Sequence, residues 1–162
     1  MSPVVTPSTV AGFDRQGERT DDDRVDAAMR SFVREFGVTA ALHMESCVRC
    51  GMCAEACHFY AASHEPKHTP VYKLELFRRA YFREASPFAP VVRALGLVRK
   101  PSVAELESWQ ELIYDSCTMC GRCTLACPMG IDIAELVKEA RHGMFEAGLV
   151  PERLALMDRT AR

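Results

Sequence analysis

Cys47-Val-Arg-Cys50-Gly-Met-Cys53-Ala-Glu-Ala-Cys57 and Cys117-Thr-Met-Cys120-Gly-Arg-Cys123-Thr-Leu-Ala-Cys127 are two copies of one string, and together they hold all eight cysteines of the chain. The spacing, CxxCxxC followed by a fourth cysteine, is the ligand run of cubane iron-sulfur clusters. Such a turn folds back on itself, aims three sulfurs at one centre and turns backbone N–H groups toward the bound sulfides. The chain therefore reads as a carrier of two [4Fe-4S] clusters. Where two such strings occur together, the fourth cysteine of each generally ligates the other cluster. That pattern assigns Cys47, Cys50, Cys53 and Cys127 to one cluster, and Cys117, Cys120, Cys123 and Cys57 to the other. The 59 residues between the strings must then bring them side by side.

Three other readings of the cysteines compete. Structural zinc generally takes two separated CxxC pairs rather than four cysteines in so short a run. A disulfide framework belongs to small secreted domains, and residues 1–30 contain no apolar core of a signal peptide. A cluster used as an iron or oxygen sensor shares the ligands but has less use for two centres in series.

The composition is that of a small domain: 162 residues, 48% hydrophobic, net charge −2. The charge is uneven, because residues 64–100 carry eight Lys and Arg against three Glu. A basic face of this kind can dock an acidic partner or an anionic membrane surface, although most such runs are ordinary solvated helix faces. Nucleic acid is not an expected partner. The longest apolar run, Phe88 to Val98, is interrupted by Arg93 and falls short of the ~20 residues a membrane span needs. Thiolate-held clusters and the lack of an export signal point to the reducing cytoplasm.

Residues 1–23, with Pro3, Pro7 and Asp21-Asp22-Asp23, show no periodicity and read as a flexible arm, leaving 24–162 as the domain. Val25, Met29, Phe32, Val33 and Phe36 recur at helical spacing up to Gly37. Beyond the first string, Thr69-Pro70 reads as an N-cap and first-turn proline for a helix over Val71, Leu74, Phe77, Ala80 and Tyr81, ending near Glu84. Ser86 to Lys100 is ambiguous, with room for a short helix at Val91 to Leu95. Ser102-Val-Ala-Glu105 has the form of a capping box, and Val103, Leu106, Trp109, Leu112 and Ile113 continue helically into the second string. Asp132, with Glu135 three residues on, caps a stripe of Ile133, Leu136, Val137, Ala140 and Met144 that ends near Gly148. A short terminal helix is expected after Pro151. No strand is expected, so the fold class is mainly α: a helical dicluster ferredoxin-like domain with two cysteine-rich loops.

The paired strings, the long helical link, and the segments His68-Thr-Pro-Val-Tyr-Lys-Leu-Glu75 and Cys127-Pro-Met-Gly-Ile-Asp132 resemble the small iron-sulfur subunit of heterodisulfide reductases. They also resemble the cluster-bearing halves of related oxidoreductases, among them the DsrK-type protein of sulfite-reduction complexes and the iron-sulfur subunits of glycolate oxidase and anaerobic glycerol-3-phosphate dehydrogenase. The similarity covers about residues 40–148. The larger of these relatives add a domain with adjacent cysteines in CCG motifs, whereas this chain has no Cys-Cys pair. The resemblance implies an electron relay between two separate chains of a heterodisulfide-reductase-like complex, a flavoprotein and a catalytic CCG-domain protein, in sulfur or methanogenic metabolism. One departure stands out: Pro128 follows the last cysteine of the second string, but His58 takes that place in the first. His58 is a candidate hydrogen-bond donor to cluster sulfur, against the commoner role of a polar loop residue. Met52 and Met119 read as apolar cover, and Arg49 and Arg122 as residues that could offset cluster charge. No acid-base pair, nucleophile or phosphate loop points to catalysis in this chain.

Overall fold

The computed structural model describes residues 13–35, 37–151 and 154. In chain order it contains β1 (Phe13–Arg15), α1 (Asp21–Glu35), α2 (Val38–Ser46), α3 (Met52–Glu55), α4 (His58–Ser63), α5 (Pro70–Lys73), α6 (Glu75–Glu84), α7 (Ala89–Ala94), α8 (Val103–Gln110), α9 (Arg122–Leu125), α10 (Ile133–Glu146) and β2 (Leu149–Pro151). The mainly α class expected from the sequence holds. The core lies where α1, α6, α8 and α10 meet. Helix α1 buries Val25, Ala28, Met29 and Phe32, four positions on one helical face. Helix α10 buries Ile133, Leu136, Val137, Ala140 and Met144 as its stripe predicts. Phe32 is fully buried, with its ring edge-on to Phe77 of α6 at 5.3 Å and to Trp109 of α8 at 5.9 Å. The link between the strings thus supplies two of the four core helices, which explains why it is long.

The local signals in the link hold with two adjustments. Ser102 forms the capping box: its Oγ accepts from the Glu105 N–H at 3.3 Å, and Glu105 Oε2 accepts from the Ser102 N–H at 2.9 Å. Thr69, expected as an N-cap, makes no cap bond, because its hydroxyl donates to Pro66 O at 2.8 Å in the 3-10 turn Pro66–His68. The helix expected from 70 to 84 breaks at Leu74 (φ −92°, ψ 0°), separating α5 from α6. Helix α8 loosens into a π turn at Glu111–Asp115 before delivering Cys117.

Glu105 ties three elements together. It takes a bidentate pair from Arg79 at 3.0 and 3.1 Å and a further contact from Arg99 at 2.7 Å. Arg79 first, then Ser102, hold its carboxyl at about 2, below the ordinary 4.5. A depressed folded-state pKa stabilises above the ordinary value and is lost as pH falls from 4.5 toward 2. Glu105→Gln should therefore cost about 1 kcal/mol at neutral pH. The gap between variant and wild type should narrow in acid without closing, as read by thermal unfolding at pH 7 and pH 3.

Two features differ from the sequence reading. Residues 13–23, expected in the arm, are built into the domain. β1 pairs antiparallel with β2 in the register Phe13↔Pro151, Asp14↔Val150 and Arg15↔Leu149, and α1 begins at Asp21, one residue after Thr20, whose hydroxyl accepts from the Asp23 N–H at 3.1 Å. The pair is clasped by Arg24, only 2% exposed, which donates to Gln16 O (3.0 Å), Gly17 O (2.6 Å) and Ala147 O (3.1 Å). Gly148 sits at φ +68° with Gln16 O only 2.6 Å from where a Cβ would lie, so the strands close only over glycine. Secondly, helix α2 has no counterpart in the sequence reading. It buries Ala40 and Met44 while leaving Val38 and Leu42 exposed, so its apolar residues form no single stripe. The terminal helix expected after Pro151, apart from Leu154, and the arm residues 1–12 lie outside the described residues, as does Phe36. Among the described residues no helix is long and apolar enough to cross a membrane.

Candidate metal centre

Each string makes the same turn. Arg49 and Met119 take the left-handed conformation at φ 54° and 52°, and Gly51 and Gly121 follow at φ 85° and 74°. A single turn of helix, α3 or α9, then carries the third cysteine, Cys53 or Cys123. Left-handed backbone on a non-glycine residue is uncommon, and its repetition at equivalent positions marks a built loop. The fourth cysteine lies just beyond that turn. Cys57 is the N-cap of α4, so His58 occupies the first helical position, where proline is also at home because no N–H bond is needed there. The exchange of proline for histidine therefore leaves the exit turn intact.

The two strings border two adjacent cavities. Cys47, Cys50, Cys53 and Cys127 line the first, and Cys117, Cys120, Cys123 and Cys57 line the second. Every cavity thus meets three cysteines of one string and the last cysteine of the other. Ile133, only 5% exposed at the start of α10, borders both. The cavities measure about 40 and 30 Å³, two to four times the ~10–15 Å³ a single water requires. Their other walls are largely apolar: Met44, Leu74 and Ile131 at the first, Pro70 and Val137 at the second. All eight sulfurs are free thiols. Among the described residues no three Cys, His, Asp or Glu side chains draw together closely enough to hold one ion. Four thiols spread around a cavity suit a polynuclear iron-sulfur core, each sulfur binding a different iron.

Burial, followed by the neighbouring thiols, raises the Cys53 thiol and pushes Cys123 up to about 11. Cys120, at the rim, is lowered, chiefly by the Arg122 N–H. Buried thiols crowded together resist ionisation until a cationic metal core supplies the opposing charge. The set therefore fits ligands of a bound metal better than independent nucleophiles.

Residues outside the strings position them. Arg141 of α10 donates to Ile113 O at 2.8 Å within the π turn and to Cys117 O at 2.6 Å just beyond it, and its guanidinium lies over the Tyr114 ring at 5.1 Å. Thr124 Oγ1 donates to Asp132 Oδ1 at 3.2 Å, joining α9 to the start of α10. Lys73, 2% exposed, lies in the wall of the second cavity with its ammonium 3.7 Å from Cys57 Sγ. The sequence does carry a signal for it: Pro70, Lys73, Phe77 and Ala80 share one helical face, and Lys73 is the charged member of that apolar stripe. Arg141 has no such signal, since its partners are carbonyls.

The other candidates separate. His58 and Met119 border the second cavity, whereas Met52 borders neither and is 53% exposed. Arg49 borders the first cavity but is tied to Glu75 at 2.6 Å; Arg122 borders the second. The basic stretch is partly neutralised: Lys67 pairs with Glu111, Arg79 and Arg99 share Glu105, Arg83 and Arg93 share Glu84, and Lys100 pairs with Asp26.

Comparison with known proteins agrees with this geometry. The 4Fe-4S dicluster domain matches residues 43–131, which enclose both strings and the link. Hdr-like menaquinol oxidoreductase iron-sulfur subunit 2 of Archaeoglobus fulgidus is 39% identical over 110 residues, covering 67% of this chain and 19% of that protein. One subunit of the dihydromethanophenazine:CoB--CoM heterodisulfide reductase of Methanosarcina barkeri is 30% identical over 115 residues, covering 68% of this chain and 26% of that protein. EtfAB:quinone oxidoreductase of Syntrophomonas wolfei is 27% identical over 126 residues, covering 69% and 18%. The chain thus spans about a fifth to a quarter of the length of these curated relatives. No solved structure gives a significant match. The likeness to heterodisulfide reductases drawn from the two strings is borne out, and the chain belongs to the 4Fe-4S dicluster domain family.

Proposed function

We propose that this chain is an electron-transfer subunit holding two [4Fe-4S] clusters, one ligated by Cys47, Cys50, Cys53 and Cys127 and the other by Cys117, Cys120, Cys123 and Cys57. The observation that carries the reading is the crossed lining of two neighbouring cavities, each by four thiols. A bound [4Fe-4S] cluster supplies a site for one reversibly held electron. The protein's own part is to fix eight sulfurs, exclude water and set polarity. Ile133 borders both cavities, so the two sites share an apolar side chain in their walls.

Relatives named as Hdr-like oxidoreductase and heterodisulfide reductase subunits support a place in a complex of that kind. The partners proposed are a flavoprotein and a CCG-domain catalytic protein, each resembling its counterpart in heterodisulfide reductases. Eight free thiols suit the reducing cytoplasm. Stepwise reduction of the anaerobically purified chain with dithionite, then reoxidation, tests relay against sensor. Full recovery of the visible absorption with iron retained supports the relay. Loss of iron on cycling, or DNA binding that follows the cluster state, would favour a sensor.

A further inference from the structure

Lys73 is the one lysine among the described residues whose side chain is buried, and among those residues no carboxylate pairs with it. Its ammonium instead donates to Ser116 O, lies 3.7 Å from Cys57 Sγ and stands 5.1 Å from the centre of the Phe59 ring. Its backbone is fixed as well, because the Trp109 indole N–H donates to Lys73 O at 2.6 Å, next to the break at Leu74. A buried cation without an opposing charge is costly, and proteins keep one only where an anion answers it. The nearest group able to carry negative charge is the Cys57 sulfur. The first cavity is arranged differently: Arg49 there is paired with Glu75, and Arg78, whose buried Nη1 has no hydrogen-bond partner among the described residues, has its guanidinium over Phe82 at 5.0 Å and donates to no cysteine sulfur.

We propose that Lys73 is the internal counter-ion of the cluster ligated by Cys57, Cys117, Cys120 and Cys123, and that it raises the reduction potential of that cluster alone. The inference rests on the two-cluster reading above. Four thiolates give such a cluster net negative charge, and one-electron reduction adds another negative charge. A fixed ammonium at a ligand sulfur favours the reduced form more than the oxidised form, through charge and through an N–H···S hydrogen bond. Lys73 acts on the cluster through Cys57 and is a positioning residue for its electrostatics, not a ligand.

The test is an EPR-monitored redox titration of the full chain, purified anaerobically, as wild type, Lys73→Met and Lys73→Arg. The expected result is one midpoint shifted to lower potential in Lys73→Met, the other unchanged, and partial or full return in Lys73→Arg. Two retained clusters with both midpoints at their wild-type values would make Lys73 a packing residue and overturn the inference. Should Lys73→Met fail to fold, pulsed EPR on wild-type protein carrying 15N-lysine decides: a lysine nitrogen coupled to one reduced cluster supports the role, and no coupling overturns it. Wild-type protein holding fewer than two clusters would instead sink the parent reading, so the two failures are distinguishable.

Discussion

Cys127→Ala is expected to remove the cluster bounded by Cys47, Cys50 and Cys53 while sparing the one bounded by Cys117, Cys120 and Cys123. Iron should fall from about eight to about four per chain. Half the iron alone does not say which cluster has gone, so pairs of substitutions carry the decision. Cys127→Ala combined with Cys50→Ala strikes one cluster twice and should still leave about four irons. Cys127→Ala combined with Cys120→Ala strikes both and should leave almost none. Ligation of each cluster wholly within its own string would reverse the two outcomes. The reason for expecting the crossed result is the geometry: Cys127 borders the first cavity and Cys57 the second. Cys127 also contributes to raising the Cys53 thiol, as a near neighbour must.

Phe32→Ala is expected to destabilise the protein by about 3–5 kcal/mol, the range for truncating a fully buried aromatic ring. Phe32 is 0% exposed and joins α1, α6 and α8 through its edge contacts with Phe77 and Trp109. The fourth helix enters through Gly143 of α10, where an added Cβ would lie 2.2 Å from Phe32 Cε1. The ring cannot withdraw because two aromatic neighbours hold it. Gly143→Ala should therefore cost about 1–3 kcal/mol from overpacking. In the double variant the new methyl occupies space the ring has left, so the loss should be smaller than the sum of the two singles. Thermal unfolding of the metal-loaded chain under nitrogen reads all three; additive losses would mean that the two residues do not share a contact.

The parts of the fold that could be read in advance are those written in local chemistry. The capping box at Ser102 and Glu105, the Asp132 cap and the stripes of α1 and α10 each lie within a few residues of their partners. The cysteine strings belong to the same class, since three ligands sit within one turn. What escaped is held by contacts distant in sequence. β1 and β2 are three residues each and pair from opposite ends of the domain, too short for alternation to register. Helix α2 has apolar residues on two faces, so no stripe marks it. The π turn before Cys117 depends on Arg141, which satisfies carbonyls of Ile113 and Cys117 from another helix. Among candidate residues, Arg49 and Arg122 are the conspicuous cations because they lie inside the strings. The buried cation beside a cysteine sulfur is instead Lys73, marked in the sequence only as the charged member of the stripe Pro70, Lys73, Phe77 and Ala80.

Two bound clusters are the central claim, and chemical analysis of iron and acid-labile sulfide on anaerobically purified full chain, joined to EPR through a dithionite titration, tests it most directly. About eight irons and eight sulfides per chain, with signals that couple when both centres are reduced, is the predicted result. Zinc in place of iron, or about four irons in a single centre, would contradict it.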